Sequence, residues 1–238
     1  MPTNMSNDNI NIIDCGLKDY QSVLNLQENA IQGLLACIGK DTIFITEHLP
    51  VITLGARVSA NKLAKDPDTI KQSGVEIFQI RRGGGTTAHN PGQLVVYPII
   101  NLKKHNLGVS DFVHLLEKIG IELLAELGLN CSTKKGFPGL WIKERKIASI
   151  GVQVKKWITC HGIAININND LSIFDLIVPC GLENVKMTSA QIELGKKINI
   201  NDAKIILKKI LLKYFVKENE YYYQKTVTPM VKTPLAGW

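Results

Sequence analysis

Apolar residues recur at two different periods along the chain, and these periods mark its helices and strands. From Asp19 to Ile38 they fall at Tyr20, Val23/Leu24, Ala30/Ile31, Leu34/Leu35 and Ile38, the 3.6-residue stripe of an amphipathic helix. A second stripe starts from Ser110, a good N-cap, and runs through Phe112, Val113, Leu116, Ile119, Leu123, Leu124 and Leu127 to a stop at Gly128. A third helix is expected over Asn201–Phe215. A short one is expected from Asp66 to Gln72, with Pro67 in its first turn and Gly74 beyond its end. Strand-length apolar or alternating runs mark Thr42–Thr46, Val51–Leu54, Val75–Ile80 and Ile158–Ile167. Gln93–Ile100 is apolar on both faces, as a strand covered on two sides is. Leu140–Glu144 and Lys146–Val154 read as a hairpin. The elements mix without a strict βαβ rhythm, which predicts an α/β (α+β) fold with a mixed β-sheet flanked by helices. No linker or internal repeat divides the chain. A single domain over 1–238 is expected, with a core of about 10–215 and terminal extensions at 1–9, which should fray, and 216–238.

Composition narrows the class. The 238 residues carry 28 Lys+Arg against 21 Asp+Glu, a formal charge of +7, and 45% hydrophobic residues. That balance excludes long disorder and collagen-like architecture. No run approaches the roughly 18 apolar residues of a membrane span. The N-terminal MPTNMSNDNINII lacks the basic and apolar regions of a secretory signal, so a cytoplasmic setting is expected. A basic surface favours acidic partners: nucleic acid, anionic membrane or acidic protein. The five cysteines are odd in number and show no C-x-x-C pair, which argues against a disulfide framework and a structural zinc site. Most are expected as small buried hydrophobes, Cys37 among them. Lys204, Lys208, Lys209 and Lys213 crowd the last helix; a solvated face or an acidic partner would each account for them.

Three stretches carry candidate chemistry. The first is Arg81-Arg82-Gly83-Gly84-Gly85-Thr86-Thr87-Ala88-His89-Asn90-Pro91-Gly92-Gln93. Three consecutive glycines suit a backbone that approaches a ligand closely, whether as a phosphate cradle, as the wall of a channel for a long apolar substrate, or as a structural turn. It is no Walker loop, because no Gly-Lys-Ser/Thr follows and a strand comes next. The second is Lys146-Ile147-Ala148-Ser149-Ile150-Gly151. Seen alone, Lys146 reads as a solvated turn lysine; buried, it would need a reason. The third is Pro179-Cys180-Gly181, where a constrained turn leaves the thiol little cover and makes Cys180 the best nucleophile of the five. His161, in Thr159-Cys160-His161-Gly162, is an intermediate candidate, whereas His48, His105 and His114 lack such context.

Taken together, these stretches resemble the lipoate-protein ligase B family, the octanoyltransferases of lipoate synthesis, from about Leu17 to Leu194. The Arg-Gly-Gly…His-x-Pro-Gly-Gln loop, the Lys-Ile-Ala-Ser-Ile-Gly strand, His161-Gly162-Ile163-Ala164-Ile165-Asn166, Pro179-Cys180-Gly181 and Thr188-Ser189 stand in the family's order. The resemblance implies a biotin/lipoate ligase-like catalytic domain. It also implies transfer of an octanoyl group from octanoyl-acyl carrier protein, through a Cys180 thioester, to a lysine of an acceptor. That acceptor would be a lipoyl domain of a 2-oxoacid dehydrogenase or the glycine cleavage H protein. Lys146 falls on the family's partner lysine, which lowers the cysteine pKa and acts as acid and base, with His89 as an auxiliary. Arg82, Gly83, Gly84, Gly85, Thr86, Thr87, Ala88, His89, Ser149, Ile150, Gly151, Gly162, Ile163 and Ala164 fall on its substrate-contacting segments. No cofactor, metal, nucleic acid or membrane is implied. Three positions depart from the pattern: Ala88 for an aromatic, Asn90 for Gly, and Gly85 for Gln. They are expected to touch the pocket wall and so to bear on acyl-chain length. The nearest rival on the same fold is an ATP-dependent lipoate or biotin-type ligase, which needs no Cys180. A basic nucleic-acid-binding protein is the rival from another class, but aromatic residues at 6% are few for stacking platforms.

Overall fold

The computed structural model describes residues 5–7, 10–178 and 185–217. In chain order its first elements are β1 (Met5–Asn7), β2 (Ile10–Lys18), α1 (Tyr20–Leu35), β3 (Asp41–His48), β4 (Val51–Leu54), α2 (Pro67–Gln72) and β5 (Glu76–Gln79). There follow β6 (Thr87–His89), β7 (Gln93–Ile99), α3 (Val109–Glu126), β8 (Ser132–Lys134), β9 (Phe137–Ile142) and β10 (Arg145–Lys155). The last are β11 (Ile158–Asn166), β12 (Lys186–Met187), α4 (Ala190–Leu194) and α5 (Ile200–Leu212).

A mixed sheet in the order β1-β2-β3-β7-β11-β10-β9-β8 forms the middle layer, with β12 beside β10. A small second sheet, β5-β4-β6, lies next to it. Period-two alternation sends Ile43, Ile45, Leu94 and Val96 to one face of the large sheet. There they pack with Phe112, Leu116 and Leu123 of α3 and Leu207 and Leu211 of α5. Phe44, Val95, Tyr97 and Ile99 point to the other face and meet Val23 and Leu34 of α1. β7 is buried along its whole length, as its two apolar faces predict. Each such side chain contributes about 1.5–3 kcal/mol on burial. Helices therefore flank the sheet on both sides, the expected fold class.

Local chemistry sets the boundaries. The Asp19 carboxylate accepts from the Ser22 N–H at 2.7 Å and starts α1. That helix stops at Leu35, earlier than the apolar stripe suggests: Cys37 turns left-handed (φ 58) and exposed, and Ile38 is 86% exposed. Neither the extended stripe nor a buried Cys37 survives. α3 is capped at Gly108, whose N–H donates to the Asp111 carboxylate at 2.9 Å, and Ser110 lies inside the helix. β10 and β11 meet in a two-residue turn with Lys156 and Trp157 both left-handed (φ 52 and 67), the backbone that matches strand twist. Met5–Asn7, expected to fray, pairs antiparallel with Ile10–Ile12, and β2 runs parallel to β3.

The lysines of α5 divide. Lys209 and Lys213 are exposed, as a solvated face requires. Lys204 and Lys208 are buried: Lys204 Nζ lies 2.8 Å from Glu47 Oε1 and 3.8 Å from Asp14 Oδ1, and Lys208 Nζ lies 3.1 Å from Asp14 Oδ2. Carboxylates on β2 and β3, far away in sequence, explain half of the charge cluster. No helix among the described residues is long and apolar enough to cross a membrane.

Candidate active site

The glycine loop runs between the two sheets and is stitched to both. The Ala56 and Arg57 N–H groups donate to the Arg82 and Gly84 carbonyls at 2.8 and 3.1 Å, and the Gly83 N–H donates to Val152 O at 2.9 Å. Arg82 is buried. Its guanidinium donates to the Thr53 carbonyl and hydroxyl at 2.7 and 2.8 Å and to the Gly83 carbonyl at 3.1 Å. A Cβ on Gly85 would stand 2.3 Å from the Ala60 carbonyl oxygen, so only glycine lets the loop close on that segment.

Under the loop lies a cavity that opens to solvent. Arg82, Gly83, Gly84, Gly85, Thr86, Thr87, His89, Ser149, Ile150, Gly151, Gly162, Ile163 and Ala164 all line it. Three separate sequence segments thus converge on one space. Ala88 does not: β6 alternates, turning Thr87 and His89 to the cavity and Ala88 into a cluster with Ile52, Ile70, Phe174 and Ile177. Asn90 is also absent from the wall; its side chain bridges to the Asp170 carbonyl at 2.7 Å and to Asn169 at 3.0 Å. Of the three departures, only Gly85 touches this cavity.

A second cavity shares Gly83, Gly84, Gly85, Ile150 and Gly151 with the first and adds Arg57, Phe137, Pro138 and Lys146. Lys146 is 2% exposed, which overturns the solvated-turn reading. Its ammonium stands 5.4 Å from the centre of the Trp141 ring. The β9–β10 ladder slips between Lys146 and Ala148, and a Cβ on Gly139 would meet Lys146 Cε at 2.8 Å. The slip and the missing Cβ make room for the side chain between two strands.

Cys180 lies outside the described residues. The described segments that end at Val178 and resume at Val185 are tied to the fold. Val178 N–H donates to Lys62 O at 3.1 Å, and Ile177 bridges to Leu63. Downstream, β12 runs parallel to β10 with Met187 opposite Lys146, and Thr188 N–H donates to Lys146 O at 2.9 Å. Among the described cysteines, burial pushes Cys15 and Cys131 up to about 11 and Cys160 up to about 12, so these thiols stay protonated.

A hydrogen-bonded chain joins His89 to Lys146. His89 Nδ1–H donates to Gln93 Oε1 at 2.7 Å. The Gln93 amide donates to Asn166 Oδ1 at 2.9 Å, and the Asn166 amide donates to Thr188 O at 2.9 Å. Thr188 then reaches Lys146 through its own N–H. Because Gln93 Oε1 can only accept, His89 carries its proton on Nδ1 and keeps the Nε2 lone pair. Burial, with His48 beside it, lowers its pKa to about 3, so the ring is neutral and a weak base. His48 is fully buried, donates to Lys18 O at 3.3 Å and accepts from the Tyr97 hydroxyl at 3.0 Å. Tyr20, Val95, Tyr97 and His161 complete the cavity wall. The sequence reading did not place Tyr20 or Tyr97 there, because each was absorbed into an apolar pattern. The position of His161 between Cys160 and Gly162 was the one available signal.

The cleft on the mixed sheet is thus roofed by a glycine loop and carries a buried lysine on its wall. Residues 19–212 match the model of the lipoyl protein ligase A/B catalytic domain. An octanoyltransferase of Desulfovibrio desulfuricans is 40% identical over 176 residues, covering 74% of each chain. One from Maridesulfovibrio salexigens is 34% identical over 203 residues, covering 85% of this chain and 95% of its own. The solved bipartite lipoate protein ligase of Thermoplasma acidophilum superposes with a TM-score of 0.63 over 83% of this chain and 82% of its own. At 14% identity, that likeness concerns the fold. The chain belongs to the lipoate-protein ligase B family, the octanoyltransferases within the ligase A/B superfamily.

Proposed function

We propose that this acyltransferase takes an octanoyl group from the thioester of acyl carrier protein, holds it on Cys180, and delivers it to a lysine of a lipoyl domain. The observation that carries this reading is the burial of Lys146 on the wall shared with the glycine loop, its backbone strapped through Thr188 to the segment that follows Cys180.

In the first step the Cys180 thiolate attacks the octanoyl carbonyl carbon. A new C–S bond forms, the carrier's C–S bond breaks, and the carrier leaves as a thiol with the proton of the Lys146 ammonium, which leaves that amine neutral for the second step. One thioester replaces another, so no ATP is needed. In the second step the acceptor amine attacks the acyl-enzyme carbonyl. A C–N bond forms, the C–S bond to Cys180 breaks, and Lys146 takes the amine's proton. The amide is more stable than the thioester and draws the sequence forward. An ordinary cysteine is only a few per cent thiolate at pH 7. A cation at about 4 Å is worth roughly 4 kcal/mol at an effective dielectric of about 20. Half of that lowers a thiol pKa by about 1.5 units. Lys146 is suited to supply that charge. His89, neutral and weakly basic, is suited to accept a hydrogen bond rather than to remove a proton, and its auxiliary role follows from that.

The test is mass spectrometry of the intact protein after mixing with octanoyl-acyl carrier protein in the absence of ATP. An octanoyl adduct that maps to Cys180, that hydroxylamine removes and that a lipoyl domain discharges is the expected result. An adenylate formed from octanoate and ATP, with no adduct on Cys180, would establish the ligase reaction instead.

A further inference from the structure

Gln27 is a fully buried amide on α1. Its side-chain oxygen accepts two hydrogen bonds from β11: the His161 N–H at 2.9 Å and the Cys160 thiol at 3.4 Å. A strand N–H ordinarily goes to the neighbouring strand. Here the β7–β11 ladder begins only at Ile163 opposite Val96. Beyond it, the β7 residue in line with His161 is Pro98, whose carbonyl already accepts from the Thr159 hydroxyl at 2.6 Å. His161 itself is left-handed at φ 62, a backbone that L side chains avoid unless neighbours hold it. Gln27 supplies the acceptor at that point, and without it the buried His161 N–H would be an orphan.

The His161 side chain lines the first cavity, edge-on to Tyr97 with ring centroids 6.2 Å apart. It does not line the second cavity, where Lys146 stands. Its partner on β10 is Val152, which lines the second cavity, so the two cavities adjoin at this strand pair. An acyl chain whose carbonyl reacts beside Lys146 and whose tail passes the glycine-loop residues that the two cavities share would enter the cavity that His161 lines.

We infer that Gln27 is a positioning residue for acyl-chain length: by holding the left-handed His161 backbone, it sets how far the imidazole closes the inner end of the cavity. The inference rests on the octanoyl-transfer reading.

The experiment measures kcat/KM for hexanoyl, octanoyl and decanoyl carrier-protein donors, together with thermal unfolding, for wild type, Q27L, Q27E, H161G and Q27L/H161G. Q27L, which keeps the volume and loses the acceptor, should shift the decanoyl-to-octanoyl ratio by tenfold or more. Q27E, which keeps an acceptor oxygen, should hold that ratio within about twofold of wild type. H161G should reproduce the Q27L shift, and the double variant should add nothing to it, since both changes act on one contact. A wild-type ratio in Q27L overturns the inference, as does an equal loss on all three donors accompanied by lower stability. If Q27L does not fold, a shifted ratio in Q27E overturns it and a retained ratio with a shifted H161G supports it. Wild-type protein that transfers none of the three would overturn the transfer reading instead.

Discussion

Lys146 and the pair Lys204 and Lys208 are all buried, in two regions built on different terms. Under α5, Lys204 and Lys208 sit against Asp14 and Glu47 at 2.8 to 3.8 Å, and Glu47 also accepts from the Gly92 N–H at 2.9 Å. Their charges are answered by carboxylates of the fold, in a network that ties α5 to β2, β3 and the turn after His89. Lys146 instead lies against the Trp141 ring and on a cavity wall. A buried cation set among carboxylates holds a fold together. Lys146 shares its cavity wall with the glycine loop, and the acyl-transfer proposal draws on that placement. Burial alone does not separate the two cases; the cavity beside Lys146 does.

Substitution should break the comparison cleanly. The largest effect is expected of Lys146→Met: octanoyl transfer per folded molecule should fall by about 10²- to 10⁴-fold, the usual range for losing an acid–base group. Stopped-flow acylation at wild-type speed in that variant would remove the activating role. Lys204→Met should do the opposite. It leaves Glu47 and Asp14 buried with less positive charge and should cost about 3 kcal/mol in urea unfolding, while the folded fraction turns over within a few-fold of wild type. An unfolding midpoint that does not move would mean those ion pairs contribute nothing net.

A smaller effect belongs to the aromatic wall of the first cavity and the histidine behind it. Burial lowers the pKa of His48 and His161 to about 4 and of His89 to about 3, from an ordinary 6.5. The unfolded chain therefore binds protons first as pH falls. The stability these rings contribute is complete above about pH 6.5 and is lost progressively as pH drops toward 4 and below. Between pH 7.5 and 5.5 each ring should account for about 1 kcal/mol of lost stability, so His89→Gln should flatten the urea-midpoint profile by about that much. A profile equally steep in that variant would show that His89 is already charged in the folded protein.

The order of residues along the chain decides whatever depends on near neighbours. The stripes of α1 and α3, the doubly apolar β7, the β9–β10 hairpin and the glycine loop are all legible from spacings of a few positions, because helix and strand periods are local. The convergence of Arg82–His89, Ser149–Gly151 and Gly162–Ala164 was legible only through a family likeness, since three segments far apart in sequence carry no mutual signal. The folded structure alone decided which side chains those segments meet. Lys146 looked solvated until a slipped ladder and Gly139 opened a slot for it; Lys204 and Lys208 looked solvated until β2 and β3 brought Asp14 and Glu47 beneath them. Ala88 left the wall through strand alternation, and Tyr20, Tyr97 and Gln27 entered the site or its support from positions that periodicity assigns to core. Burial and pairing depend on contacts between distant segments, and only the packed chain contains them.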